Sequence, residues 1–341
     1  MHNSRPTLKD VALRSGYALR TVKKVMNGET VREKTRLDVL KAAEELNYVP
    51  NRAASALARN RRIRLAVVYS HTSEAYFPEV EQGFRACVSA HGDFGLELEF
   101  CVTRQSGWQP QDAILRQLLG REDIDGVILQ PFSSRLLNEA IDLLVENGKP
   151  VITFGADAPE SKRLCYIGPD AYRSGRIGGQ ILANYVGKSG KVYIINQGAD
   201  HMQTMDRTRG FLDRIREHYP KLEAYQVDLP DDSSLYYDMV KNIVEKGQAN
   251  GLFCTDANTF VAGQVLKDLN IRDIALVGFD LSPDGVRLMR EGHIKVIIEQ
   301  KPADFSCLAA ATLFRHITTQ TPLPQHIKTP LYIITSECIE E

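Results

Sequence analysis

From residue 63 to the C-terminus, short β-branched runs alternate with amphipathic stretches, and this alternation restricts the fold more than any other feature. The runs are 64–69, 96–102, 126–130, 150–154, 191–195, 222–228, 251–254 and 274–279, with ten or more residues between most of them. Continuously apolar runs are strands buried on both faces, and helix-length connections join strands that run parallel. The stretch 173–187 reads as one such helix, with Ile177, Ile181, Leu182 and Tyr185 turned inward. Eight strands exceed a sheet of ordinary size. The pattern therefore predicts two doubly wound lobes, with a ligand at the strand carboxyl ends facing a cleft between them.

The first sixty residues follow a different period. Thr7 can cap a run bearing Leu8, Val11 and Ala12, and Ser15-Gly16 breaks it. A second run, about 19–26, turns Val22, Val25 and Met26 inward and ends at Asn27-Gly28. A third, 33–46, carries Leu37, Leu40, Ala43 and Leu46 at three-residue steps, expected as its buried stripe. Two short helices joined by a Gly-containing turn and closed by a third form a helix-turn-helix unit, whose second helix enters the major groove. That helix exposes Arg20, Thr21, Lys23 and Lys24, donors suited to guanine edges and phosphate oxygens.

Charge agrees with this division. The whole chain holds 42 Lys and Arg against 43 Asp and Glu, yet residues 1–64 hold 15 against 6 and the rest 27 against 37. A basic head on an acidic body confines nucleic-acid contact to one end. The six cysteines form no CxxC pair and the eight histidines no HExxH spacing, so neither a cofactor nor a metal is expected. No apolar stretch reaches the roughly 18 residues of a membrane span. The opening MHNSRPTLKD is unlike a secretory signal, so the expected location is the cytoplasm.

The order of residue types in the head resembles the lactose/galactose-repressor family. The matching features are Thr7-Leu8-x-Asp10-Val11-Ala12, Gly16, Thr21-Val22, Val25, Asn27-Gly28, Thr35-Arg36, Leu46-x-Tyr48 and Pro50-Asn51-Arg52. The resemblance implies that Leu19, Arg20 and Lys24 read base edges and that Thr21, Lys23 and Asn27 face phosphates, with Thr7 also among the DNA-contacting residues. Two positions depart from the family's usual serines: Ala18 removes the cap expected for the second helix, and Lys23 replaces a small hydroxyl with a long cation. After Pro50, Asn51 can cap a short helix with Ala54 and Leu57 on one face, too short to be stable alone. In the family this segment is a hinge helix that pairs across a homodimer, and Leu57 sits where a leucine wedges into the minor groove.

The body resembles the family's sensor, which is similar to periplasmic sugar-binding proteins. The stretch TFGADAPESKRLCYIGPDAYRSGRIGG, then VGFD at 277–280 and EQKP at 299–302, carries the likeness. The implied architecture is an all-α helix-turn-helix head plus an α/β sensor of two Rossmann-like lobes, type I periplasmic-binding-protein-like. The expected boundaries are a head at 1–50, a hinge at 51–62 and a sensor at 63–341. Lobe 1 would take 63–168 and 299–322, and lobe 2 would take 169–298 and 323–341. Sugar sites need flat aromatics and planar polar groups. The matched positions are Glu74, Tyr76, Phe77, Asp157, Arg207, Thr255, Asp280 and Gln300, with Asp256 shaping a loop. Glu74 stands where relatives often carry Asn, and Gly155-Ala156 where some sugar binders carry Asp-Arg.

Enzyme motifs are absent. Gly187-Lys188-Ser189 matches part of a phosphate loop, but Leu182 occupies the place of its first glycine, and there is no GxSxG or GxGxxG. The expected protein is therefore not an enzyme. It is a DNA-binding transcriptional regulator, a repressor, allosterically controlled by a sugar or sugar-like effector. Its partners are a double-stranded operator and a second copy of the chain. The alternatives are a nucleobase effector, or a solute-binding protein with no regulatory role.

Overall fold

The computed structural model describes residues 6–26, 31–46, 62–71, 76–105, 107–197, 201–229, 235–246 and 248–339. The head consists of α1 (Leu8–Ser15), α2 (Leu19–Met26) and α3 (Glu33–Glu45). The Asp10 carboxylate accepts from both the backbone N–H and the hydroxyl of Thr7, each at 2.7 Å. Such a cap contributes about 1 kcal/mol. Gly16 adopts φ 73°, a conformation glycine takes without strain, and its N–H closes α1 on the Ala12 carbonyl. The helices bury Val11, Val22, Val25, Val39, Ala42 and Ala43. Tyr17 donates to Asp38 at 2.9 Å, and Arg14 pairs with Glu45 at 2.6 Å, tying α1 and its turn to α3. Ala18 supplies only its carbonyl, to the N–H groups of Thr21 and Val22.

The buried stripe of α3 differs from expectation. Leu37 is 59% exposed and Leu40 44%, while Val39, Ala42 and Ala43 face the core. Three-residue steps fall short of a full turn by about 60° each, so residues spaced this way walk round the helix.

Among the described residues the body forms two six-stranded sheets. The first has the order β11-β5-β4-β3-β1-β2 and the second β12-β10-β9-β8-β6-β7. In the first sheet, β1 (Ile63–Ser70), β2 (Leu96–Thr103), β3 (Gly126–Leu129), β4 (Val151–Phe154) and β5 (Cys165–Gly168) pair in parallel. β6 (Gly190–Gln197), β7 (Leu222–Leu229), β8 (Gly251–Cys254), β9 (Ala275–Phe279) and β10 (Val296–Glu299) do the same in the second. The five parallel strands of each lobe thus share one winding order, starting second strand, first, third.

Helices cover both faces of each sheet. In lobe 1, α4 (Phe77–His91) and α12 (Pro302–Thr319) pack on Leu65, Val67 and Tyr69. On the opposite face, α5 (Gln109–Leu119) and α6 (Asn138–Glu146) pack on Ala66 and Val68. In lobe 2, α7 (Ala171–Val186) and α8 (Met202–His218) cover one face. The other is covered by α9 (Tyr236–Glu245), α10 (Thr259–Asp268) and α11 (Pro283–Arg290). Each large apolar side chain so buried contributes about 1.5–3 kcal/mol, so the double covering is what holds each lobe together.

On α7, Leu182 is buried but Tyr185 is 51% exposed, against expectation. The inward face of α7 is built from Ser174, Gly175, Gly178, Gly179, Leu182 and Ala183. It is a stripe of small residues that lets α8 approach, and Tyr185 lies off it.

The chain passes between the lobes after β5, after β10, and between β11 (His326–Lys328) and β12 (Tyr332–Ile334). β11 pairs with β5, so lobe 1 extends to Lys328 rather than ending near 322, and the second lobe's final piece begins later than expected. Three-residue strands carry no period of their own, and the pairing depends on a partner 160 residues away. The crossings are tied together. Lys328 pairs with Asp170 at 2.6 Å, and Thr329 N–H donates to the Gly168 carbonyl at 3.0 Å. Among the described residues no helix is long and apolar enough to cross a membrane, and no His/Cys/Asp/Glu cluster could hold a metal.

Candidate functional site

A cavity of about 340 Å³ lies where the carboxyl ends of the two sheets face each other, within the range of small-molecule sites, about 300–1,000 Å³. The order reversal beside β1 and β6 splays the following loops apart, and the cavity occupies that switch point in both lobes. Ser70 and His71 at the end of β1, Tyr76 and Phe77 at the start of α4, Arg104 after β2 and Gln130–Phe132 after β3 line the first wall. Gln197, His201, Arg207, Thr255–Asn258, Asp280 and Gln300 line the second. Phe132 and His201 meet edge to face between the walls, centroids 4.4 Å apart.

The polar centre is a chain of three side chains. Arg207 is 3% exposed. Its Nη1 donates to the Thr255 carbonyl and its Nη2 to Gln300 Oε1, both at 2.6 Å. Its guanidinium lies 3.7 Å over the Phe279 ring, a favourable face for a cation. Gln300 Nε2 then donates to Asp280 Oδ1 at 2.6 Å. Burial pushes the Asp280 carboxyl up to about 7, with Arg207 opposing and Glu299 adding to the rise. Asp280 has φ 62°, a conformation that Asp and Asn tolerate better than other side chains. Asp256 accepts from the N–H groups of Gln197 (3.1 Å) and Asn258 (2.7 Å), and burial raises it to about 6. It shapes the loop after β8.

The expected residues separate into groups. Tyr76, Phe77, Arg207, Thr255, Asp280 and Gln300 line the cleft. Thr255 contributes only backbone, because its hydroxyl is shared between the Ile195 carbonyl and Asn196 Oδ1. Phe77 stacks one face on Tyr69 at 5.1 Å. The Tyr76 hydroxyl and Gln130 Oε1 are buried without hydrogen-bond partners. A Cβ at Gly155 would sit 2.9 Å from that hydroxyl and 3.1 Å from Gln130 Nε2.

Asp157 is a correction. It lies outside the cavity lining and is gripped by Arg163, whose Nε and Nη2 donate at 2.5 and 2.6 Å, with Thr153 adding a third bond. It anchors the β4–β5 connection. Glu74 lies outside the described residues.

Sequence reasoning missed Gln111, Gln130, Phe132, Gln203 and His201. Gln111 organises the first wall: its amide donates to Ser70 Oγ and the Gln130 carbonyl, and its Oε1 accepts from Phe132 N–H at 2.8 Å. A fully buried glutamine on a helix otherwise apolar on that face was the one available signal.

In the head, α2 exposes Arg20, Lys23 and Lys24, with Leu19 and Thr21 half-buried. None of the three cations forms an ion pair with a described residue. The Thr7 hydroxyl is turned onto Asp10. Asn27, Asn51, Ala54 and Leu57 lie outside the described residues.

Fold and site define a two-lobed small-molecule receptor preceded by a helix-turn-helix head. Residues 65–321 match the periplasmic binding protein domain family, and residues 7–51 match the bacterial regulatory proteins of the lacI family. The chain belongs to this family of regulators. It is 24% identical over 319 residues to a sucrose operon repressor of Pediococcus pentosaceus, covering 92% of this chain and 93% of that one. It is 28% identical over 300 residues to the HTH-type transcriptional regulator CelR of Thermobifida fusca, covering 81% and 82%. Among solved structures, GanP, a glucose-galactose binding protein from Geobacillus stearothermophilus, superposes with a TM-score of 0.74 at 22% identity, covering 81% and 98%. A putative LacI transcriptional regulator from Bacteroides fragilis also gives 0.74, at 20% identity, covering 81% and 98%. These last two share the fold.

Proposed function

We propose that this chain is a transcriptional repressor that binds operator DNA through α2 and responds to a carbohydrate-class effector held in the cleft. The observation that carries this reading is α2 itself. Arg20, Lys23 and Lys24 point to solvent, unpaired with any described residue, from a three-helix unit joined to a receptor. Cations without internal partners are available to phosphate oxygens and guanine edges. Arg20, Lys24 and Leu19 read bases, and Thr21 and Lys23 hold phosphates. In the cleft, Tyr76, Phe77, Arg207, Asp280 and Gln300 contact the effector.

The protein acts as a cytoplasmic homodimer and uses no cofactor. In this reading Asp280, whose Oδ1 accepts from the Gln300 amide, holds the effector rather than carrying out catalysis. An effector regulates by binding one lobe arrangement better than another, which biases how the heads present themselves to DNA. The relative named HTH-type transcriptional repressor PurR, from Aliivibrio fischeri and 25% identical over 291 residues, supports a nucleobase as the second reading.

Selection from a random duplex pool, followed by fluorescence anisotropy with a panel of carbohydrates and nucleobases, tests the proposal. The expected result is a specific duplex whose affinity changes about 5–150-fold with one ligand class. A protein that ignores every duplex at low ionic strength is not a repressor.

A further inference from the structure

Two arginines are buried in the body, and they are treated differently. The Arg163 side chain, 5% exposed, has a carboxylate of its own: Asp157 meets it with both oxygens. Arg207, 3% exposed, has only neutral acceptors, the Thr255 carbonyl and the Gln300 amide, and its Nε–H has no acceptor. No carboxylate among the described residues lies within ion-pair distance of it. A buried cation without a counter-charge is costly, and this one lines the ligand cavity.

A second guanidinium, that of Arg104, also lines the cavity. The two acids among the described lining residues, Asp256 and Asp280, form no ion pair with the Arg207 guanidinium. Burial raises Asp256 and Asp280 to about 6 and 7, and each already accepts a hydrogen bond from the protein.

We propose that the effector carries an anionic group, a carboxylate or a phosphate, on a hydroxyl-bearing carbohydrate framework, and that this group supplies the counter-charge of Arg207. The inference rests on the reading of the cleft as the effector site. Hydroxyls on the same ligand take the Asp280–Gln300 side, where a carboxyl and an amide both accept and donate. The charged end takes the guanidinium, which forms stronger and more directional bonds to carboxylate or phosphate than to a hydroxyl.

Isothermal titration and thermal shift on the full-length protein decide it with matched pairs: glucose against glucuronate and glucose 6-phosphate, and galactose against galacturonate and galactose 6-phosphate. The expected result is that an anionic member binds about tenfold or more tighter than its neutral parent. The uronate and phosphate arms tell the two anions apart. Arg104→Gln, at an exposed position of the lining, is expected to weaken the anionic member several-fold more than the neutral one. A neutral sugar that binds as tightly as its acid overturns this inference and leaves the carbohydrate-controlled repressor standing. Failure of every pair, neutral and anionic, overturns both.

Discussion

Arg207 on α8 and Gln300 at the end of β10 are joined by a 2.6 Å hydrogen bond, which fastens the cation of the cleft to the strand that leaves lobe 2 for lobe 1. Gln300 holds Asp280 with its other amide atom, so one neutral side chain separates a buried cation from a buried acid. Gln300→Leu leaves an Arg207 N–H and an Asp280 oxygen unsatisfied. The unliganded protein should lose roughly 1–3 kcal/mol per stranded group, read as a lower urea midpoint at an unchanged slope. An unchanged midpoint would mean that the bond contributes nothing in solution.

Asp280 makes stability depend on pH with a defined sign. Its carboxyl is raised in the folded protein to about 7 from an ordinary value of 3.8, mainly by burial. The folded state therefore favours the protonated form. That contribution is fully present below the ordinary value and is lost as pH rises through about 7. Asn keeps the amide-sized group and tolerates the φ of 62°. Asp280→Asn should therefore destabilise little at low pH and become relatively more stable than wild type above neutrality. Melting temperatures of the two proteins from pH 4.5 to about 8 test this, and parallel curves would contradict it.

The position of Arg207 depends on glycines two helices deep. A Cβ at Gly175 would lie 1.9 Å from the Arg207 carbonyl oxygen, and one at Gly210 would lie 2.0 Å from that of Tyr172. Both obstacles are backbone, so no side chain can swing aside and α8 must move away from α7. Gly175→Ala is expected to destabilise by about 1–3 kcal/mol through overpacking and to weaken effector binding as well, since Arg207 travels with its helix. Gly187→Ala serves as the contrast. It meets nothing within 4 Å and has a strained φ of 93°, so it should affect stability but not the cleft. Equal effector affinity in Gly175→Ala and wild type would separate the packing from the site.

The strand–helix alternation was legible because burial on both faces writes itself into composition: the residues of β8, Gly251–Cys254, are apolar and fully enclosed. Three kinds of information were not. Helix faces lined by small residues carry little apolar signal, so Tyr185 was read as inward when the glycines of α7 make the contact. Ion pairs across a loop have no period, so Asp157 resembled a ligand-binding acid until Arg163 closed on it. The missed wall residues Gln111, Gln130 and His201 are polar groups whose role comes only from loops that converge at the switch point. Arg207, Asp280 and Gln300 were found because a family resemblance marked their positions, which periodicity alone could not have done.

The head offers a test in which two neighbouring cations should behave differently. Arg20 and Lys23 lie three residues apart on α2, both exposed and without an ion-pair partner among the described residues. Since α2 shows its buried side, Val22 and Val25, to the core, neither side chain supports the fold, and neither alanine variant should lower the melting temperature of the protein. If Arg20 meets a base edge, Arg20→Ala loses about 1–3 kcal/mol of discrimination for the selected duplex and little affinity for unrelated DNA. If Lys23 meets a phosphate, Lys23→Ala weakens all duplexes alike and reduces the salt slope by about one. Competition binding across a salt series resolves the two patterns. Identical behaviour of both variants would mean that α2 lies on the backbone rather than in the groove, and wild-type behaviour of both would remove α2 from the interface.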